Sequence, residues 1–170
     1  MNAIQEFRGL RSDELDTGYA LHLEAYEWLK SRGSSQWAKP FPYEKYRLWH
    51  GQRLNYGFFS NGTLTSVLSI VEETDDRWHD YLQGRSVLWV RAVSGSDRFR
   101  GKNFGRLAIQ AAIRQFAHEA HIPLYLHCYR GEGFLPEYYS RLGFNILSET
   151  ELENGPWVLL RHPVHPDPES

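Results

Sequence analysis

From Leu54 to Glu72 the apolar positions fall into two short runs on either side of Asn61-Gly62. That residue pair suits the turn of a two-residue β-hairpin, so the pattern predicts strand, turn, strand. Ahead of it, Leu15, Tyr19, Leu23, Tyr26 and Leu29 recur every three or four residues, which predicts a helix with one apolar stripe. Ser12, followed by Asp13 and Glu14, supplies a helix start with acid at its positive end, and Gly33 supplies the stop. Ile4 to Leu10 reads as a first strand. Ser34 to Pro42 is rich in turn residues, and Tyr43 to Gly51 reads as a short helix carrying Tyr46 and Trp49.

In the second half, Glu72 to Gly84 is an acidic loop with one helical turn around Trp78 to Leu82, and Val87 to Val93 is a buried strand. A helical pattern starts at Phe104, with Leu107, Ile109, Ala111, Ala112, Ile113 and Phe116 facing inward. Arg106, Gln110, Arg114 and His118, four apart, form its wet edge. After Pro123, Leu124 to Tyr129 alternates as a strand, with Leu124, Leu126 and Cys128 on one face and Tyr125, His127 and Tyr129 on the other. Phe144 to Thr150 and Trp157 to Arg161, joined through Asn154-Gly155, predict a last hairpin. The organisation expected is a single domain over 1–161 and a proline-rich tail over 162–170.

The junction between Val87–Val93 and the helix at Phe104 is Arg100-Gly101-Lys102-Asn103-Phe104-Gly105, a basic, glycine-bearing loop. A helix start of this kind presents backbone N–H groups without internal partners and the positive end of the helix dipole, which together favour a bound phosphate. Asn103 stands where a nucleoside-triphosphate P-loop needs Ser or Thr after its lysine, and there is no G-x-G-x-x-G run near a first strand for a dinucleotide.

The loop resembles motif A of the GCN5-related N-acetyltransferases (GNAT), Gln/Arg-x-x-Gly-x-Gly/Ala, with Arg100 first, Gly105 last and Asn103 in place of the middle glycine. Tyr138-Tyr139-Ser140-Arg141-Leu142-Gly143-Phe144 resembles the Tyr-x-x-Leu-Gly-Phe that follows in the same family. Trp28-Leu29 and Gln36-Trp37 are similar to a pairing in some bacterial members. The resemblance implies an α/β fold: a mixed, mostly antiparallel sheet flanked by helices and splayed between its two central parallel strands, Val87–Val93 and Leu124–Tyr129.

It also implies that acetyl-CoA, as co-substrate, lies between those strands. Backbone groups of Arg91, Ala92 and Val93 then hold the pantetheine arm and polarise the thioester carbonyl, and Arg100, Gly101, Lys102, Asn103, Phe104, Gly105 and Arg106 hold the pyrophosphate. Tyr139 contacts the coenzyme sulfur and protonates the departing thiolate. Glu132 stands where the family tends to place an asparagine that touches the cofactor arm. Deprotonation of the acceptor amine, with a pKa near 10, needs a base, for which Glu72, Glu73 and His127 are the candidates. The activity implied is acetyl transfer to a primary amine, taken to be a small molecule, by direct attack in a ternary complex. The alternative is a catalytically inactive acyl-CoA-binding or regulatory module.

Composition narrows the partners. A net charge of −2, with no basic block outside Arg98 to Arg106, provides no field for nucleic acid. Six Trp and ten Tyr are enough to line a pocket as well as fill a core. Asp75, Asp76 and Asp80 with Trp37, Trp49 and Trp78 form a candidate acidic, aromatic mouth for a cationic amine. Cys128 is the one cysteine, which excludes an intrachain disulfide. The close His pairs, His118 with His121 and His162 with His165, lack a third ligand, so no metal is expected. Met1 to Leu10 has no long apolar run, so the expectation is a cytoplasmic protein without a membrane partner. Nothing in the pattern excludes a homodimer.

Overall fold

The computed structural model describes residues 2–34, 37, 39–99, 101–131, 134–152 and 154–164. Seven strands form one mixed sheet in the order β1-β2-β3-β4-β5-β7-β6. In chain order these are β1 (Gln5–Gly9), β2 (Asn55–Ser60), β3 (Thr63–Glu73), β4 (Val87–Gly95), β5 (Leu124–Tyr129), β6 (Asn145–Leu152) and β7 (Gly155–His162). The helices are α1 (Leu15–Ser31), α2 (Tyr43–Gly51), α3 (His79–Leu82), α4 (Phe104–Ala112) and α5 (Leu135–Arg141). Among the described residues no helix is long and apolar enough to cross a membrane.

β4 and β5 are parallel, while β1/β2, β2/β3, β5/β7 and β6/β7 are antiparallel. The parallel ladder pairs Leu88 with Leu124 and Trp89 with Tyr125, although β4 continues to Gly95 and β5 to Tyr129. The chain divides into two compact units, residues 1–70 with 91–111 and residues 71–90 with 112–170.

In the first unit, Leu10, Leu21, Phe59 and Val67 form an apolar cluster with Leu64 against it. The β2–β3 turn has Asn61 at φ 50° and Gly62 at φ 78°, the left-handed pair that matches the twist of a hairpin. Ser12 does not cap α1. Residues 12–14 form a 3-10 turn instead, and Glu14 accepts a hydrogen bond from the Arg11 N–H at 2.7 Å while pairing with Arg8 at 2.7 Å. A carboxylate already fixed by a guanidinium makes a better acceptor than a free hydroxyl.

The buried face of α1 is Gly18, Leu21 and His22, while Leu23 of the expected stripe is 41% exposed. The shift has a steric cause. A Cβ on Gly18 would strike the Tyr46 hydroxyl, so the absent side chain makes room for a tyrosine from α2. The expected short helix is present as α2, and Tyr46 and Trp49 are its buried residues.

In the second unit, Trp78, Leu82, Trp89, Tyr125 and Leu159 form the core, with Val87, Leu147 and Trp157 packed on it. The expected helical turn at Trp78 is present as a 3-10 turn running into α3. β5 is buried on both faces apart from half-buried His127, as an interior strand of a covered sheet should be. After α4 the chain continues as a π-helix over Ile113–Glu119, which regular 3.6-residue spacing does not foresee. His118 meets His162 across 5.7 Å between ring centroids, and β7 takes in His162.

Candidate active site

In the first unit, β4 carries a backbone irregularity. Ala92 has φ 51°, a left-handed conformation that a residue with a Cβ adopts at a cost of about 1–3 kcal/mol. Within β4 it departs from extended backbone, so its neighbouring peptide groups leave the regular ladder direction. Arg91 is 8% exposed, and Ala92 and Val93 are half-buried.

Two residues later Ser94 is buried, with its Oγ 2.8 Å from His22 Nδ1. His22 is fully buried, and burial holds its pKa down at about 4, so the ring is neutral. Tyr46 lies edge-on to it at 4.9 Å, and the Phe41 ring is tilted against it at 5.2 Å. Among the described residues, neither His22 Nε2 nor the Tyr46 hydroxyl has a hydrogen-bond partner. Neither His22 nor Ser94 stands out as a site residue in the sequence. The available signal was positional: a histidine one turn after Gly18, within an aromatic-rich helix.

The loop that follows bends through two left-handed residues, Gly101 at φ 85° and Asn103 at φ 62°. Asn103 therefore adopts the backbone that a glycine at this position would adopt. Ser96 N–H bonds the Thr65 carbonyl at 2.9 Å and Lys102 N–H the Phe99 carbonyl at 3.0 Å. Phe104 anchors the start of α4: its ring lies 5.4 Å from Phe99 and 6.2 Å from Phe58, and its carbonyl accepts the Ser66 hydroxyl at 2.9 Å.

The first turn of α4 closes with Leu107 N–H on the Asn103 carbonyl, so the N–H groups of Phe104, Gly105 and Arg106 precede its ladder. Cβ atoms placed on Gly101 or Gly105 would meet nothing within 4 Å. Open space over the first N–H groups of a helix suits a phosphate. Lys102 and Arg106 are exposed beside it, and Arg100 lies outside the described residues.

In the second unit, Tyr139 is on α5, half-exposed, with its ring 5.2 Å from Tyr138 and 6.0 Å from Phe144. Desolvation, with a further contribution from Cys128, pushes its phenol above the ordinary 10 and keeps it a proton donor at neutral pH. Burial likewise pushes the Cys128 thiol up to about 12, leaving it unreactive. Glu132 lies outside the described residues.

His127 accepts a hydrogen bond at Nδ1 from the Trp78 indole N–H at 2.9 Å, with Trp157 4.9 Å and Trp89 5.9 Å away. An indole N–H only donates, so the neutral ring carries its proton on Nε2 and its one basic nitrogen is occupied. Glu73 gives its carbonyl to the Trp89 indole N–H at 3.0 Å. Glu72 is exposed at the end of β3.

Of the residues of the expected acidic, aromatic mouth, Trp49 and Trp78 are buried, and Asp75 is taken up by Arg77 at 2.6 Å while capping the turn beside it. Among the described residues no group of three or more His, Cys, Asp or Glu is placed to hold a metal ion.

Residues 22–144 match the model of the acetyltransferase (GNAT) family, and the chain belongs to that family. Its members act on amine acceptors and transfer acyl groups from acyl-CoA. Two solved acetyltransferases of the GNAT family superpose with a TM-score of 0.78. The one from Streptococcus agalactiae is 15% identical, with 95% of this chain and 98% of that chain covered. The one from Listeria monocytogenes is 20% identical, with 95% and 99% covered. The ribosomal-protein-S18-alanine N-acetyltransferase of Escherichia coli has a TM-score of 0.70 at 14% identity, with 98% of each chain covered. At these identities the likeness is one of fold. No curated protein matches the sequence.

Proposed function

We propose that the protein transfers the acetyl group of acetyl-CoA to a primary amine of a small molecule, by direct attack in a ternary complex in the cytoplasm. The observation that carries this reading is the backbone of β4 and its loop: left-handed Ala92, followed by left-handed Gly101 and Asn103 and the open start of α4. Acetyl-CoA supplies an activated acyl thioester. The N–H groups at the start of α4, with Lys102, Arg106 and Arg100, hold its pyrophosphate. Peptide groups at Arg91, Ala92 and Val93 take the pantetheine arm, and one N–H is directed at the carbonyl oxygen as charge develops there.

The amine nitrogen forms its bond to the carbonyl carbon, and the carbon–sulfur bond breaks. Tyr139 donates to the departing sulfur. A thiol near 8.5 is more acidic than this phenol, so complete proton transfer runs uphill and the stabilisation comes chiefly from the hydrogen bond. Glu72, exposed and unburdened by the core, accepts the amine proton directly or through water. Glu73 is a second candidate base; His127, with Nδ1 occupied, is the weakest.

The test is turnover across a panel of small amines, alongside the thermal midpoint with acetyl-CoA, ATP or NAD. A midpoint rise of several degrees with acetyl-CoA alone, together with amine-dependent release of thiol, supports the reading. A rise without turnover points instead to an acyl-CoA-binding module, and turnover only with peptides overturns the small-molecule acceptor.

A further inference from the structure

At the starts of β4 and β5 the second unit has a groove of about 310 Å³, lined among others by Glu72, Arg85, Val87, Leu88, Ile122 and Tyr125. That volume is at the small end for ligand sites and suits a molecule of amino-acid size. Its walls differ in chemistry. Val87, Leu88, Ile122, Pro123 and the Tyr125 ring make an apolar floor, of which Ile122 is 43% exposed. Glu72 and Arg85 are the two charged residues of the lining, one of each sign.

Among the described residues no ion pair joins Glu72 to Arg85. They contribute to one groove without neutralising each other. Arg85 is also held in place, since its Nε–H donates to the Leu82 carbonyl at 3.0 Å. The floor is equally fixed: Ile122 N–H bonds the Phe116 carbonyl at 2.9 Å, and Tyr125 packs on fully buried Trp89 at 6.0 Å. A preformed apolar floor with separated positive and negative groups is complementary to a ligand with an apolar body and both charges.

We propose that this groove binds a small zwitterion, an amine that also carries a carboxylate, with the ammonium on Glu72 and the carboxylate on the guanidinium of Arg85. The inference deepens the acyl-transfer reading by naming the acceptor class, and rests on it only for calling the occupant an acceptor. Guanidinium and carboxylate match as planar, two-point partners, which gives the anionic end direction as well as charge.

The experiment is a titration followed by tryptophan fluorescence, because Trp89 lies directly behind Tyr125. Three probes share one apolar body: phenylalanine carries both charges, phenethylamine only the amine, and 3-phenylpropanoate only the carboxylate. Phenylalanine should saturate the signal and bind at least about tenfold more tightly than either of the others. Arg85→Gln should bring phenylalanine down to the affinity of phenethylamine, and Glu72→Gln should bring it down to that of phenylpropanoate. Equal binding of all three, no saturation by phenylalanine, or variants that keep the parent preference would each overturn the proposal. Acetylation assays on the same probes separate the two readings. Saturable zwitterion binding without turnover of any amine removes the acceptor label and leaves the binding site. Turnover of simple amines without zwitterion binding removes the site and leaves the acyltransferase.

Discussion

His22 Nδ1 lies 2.8 Å from Ser94 Oγ, with the imidazole fully buried on α1 and the serine buried on β4 two residues beyond left-handed Ala92. A strained residue persists where its surroundings leave no alternative. The His22–Ser94 bond is one such constraint on the strand just after the irregularity. Ser96 N–H on the Thr65 carbonyl, two residues further on, is a second.

Removing the serine hydroxyl should therefore be felt. Ser94→Ala leaves His22 with both ring nitrogens unpartnered inside an aromatic cluster, a desolvation penalty of about 1–3 kcal/mol. Chemical denaturation of parent and variant should show that loss, and a difference below a few tenths of a kcal/mol would mean that the bond is not holding the strand.

The same histidine should make stability depend on pH. Its folded pKa of about 4 lies below the ordinary 6.5, so between those values the unfolded chain binds a proton that the folded chain does not. Stability is complete above pH 6.5 and is lost as the pH falls toward 4, by up to about 3 kcal/mol. His162, also lowered by burial, adds a slope of the same sign. Denaturant midpoints at pH 7, 6 and 5 should converge between parent and His22→Phe as the pH falls. Parallel curves would assign the slope elsewhere.

Asn103 offers a backbone test at the loop proposed to hold the pyrophosphate. At φ 62°, Asn103→Gly should hold or raise the thermal midpoint, whereas Asn103→Val should lose about 1–3 kcal/mol because a β-branched residue resists this conformation. The rise in midpoint with acetyl-CoA should persist in the glycine variant and shrink in the valine variant. Equal behaviour of the two would show that the loop conformation does not matter to the ligand.

For Tyr139→Phe the expected outcome is a fall in kcat of about 10- to 100-fold with the KM for acetyl-CoA within about twofold of the parent. The phenol is held in its protonated form, so its effect should be confined to the leaving sulfur. A matched loss in acetyl-CoA affinity would make it a binding residue instead.

Much of this arrangement was legible in the sequence because it depends on local signals. Asn61-Gly62 marked a turn by its tolerance of left-handed backbone, and the turn-rich letters from Ser34 to Pro42 marked where one helix gives way to the next, α2. The basic loop before Phe104 declared itself through glycine and charge together. What escaped notice was set by tertiary contacts. His22 and Ser94 are polar letters in a buried place, and a hydropathy pattern assigns such letters to the surface. The irregularity at Ala92 belongs to the main chain, so the side chain carries no mark of it. The partner that turns the His127 tautomer, Trp78, is distant in sequence and only comes near through folding. The change to π-helical bonding after Ala112 adds residues to a turn without interrupting the helical appearance of the text.

Gly18 reverses a rule of thumb used in stabilising proteins. In an exposed helix interior, alanine in place of glycine gains about 1 kcal/mol. Here the methyl group would occupy the volume taken by the Tyr46 hydroxyl and displace the ring that lies edge-on to His22. The position is filled by an atom from another helix, so a substitution chosen from α1 alone would improve that helix and disturb the packing around His22.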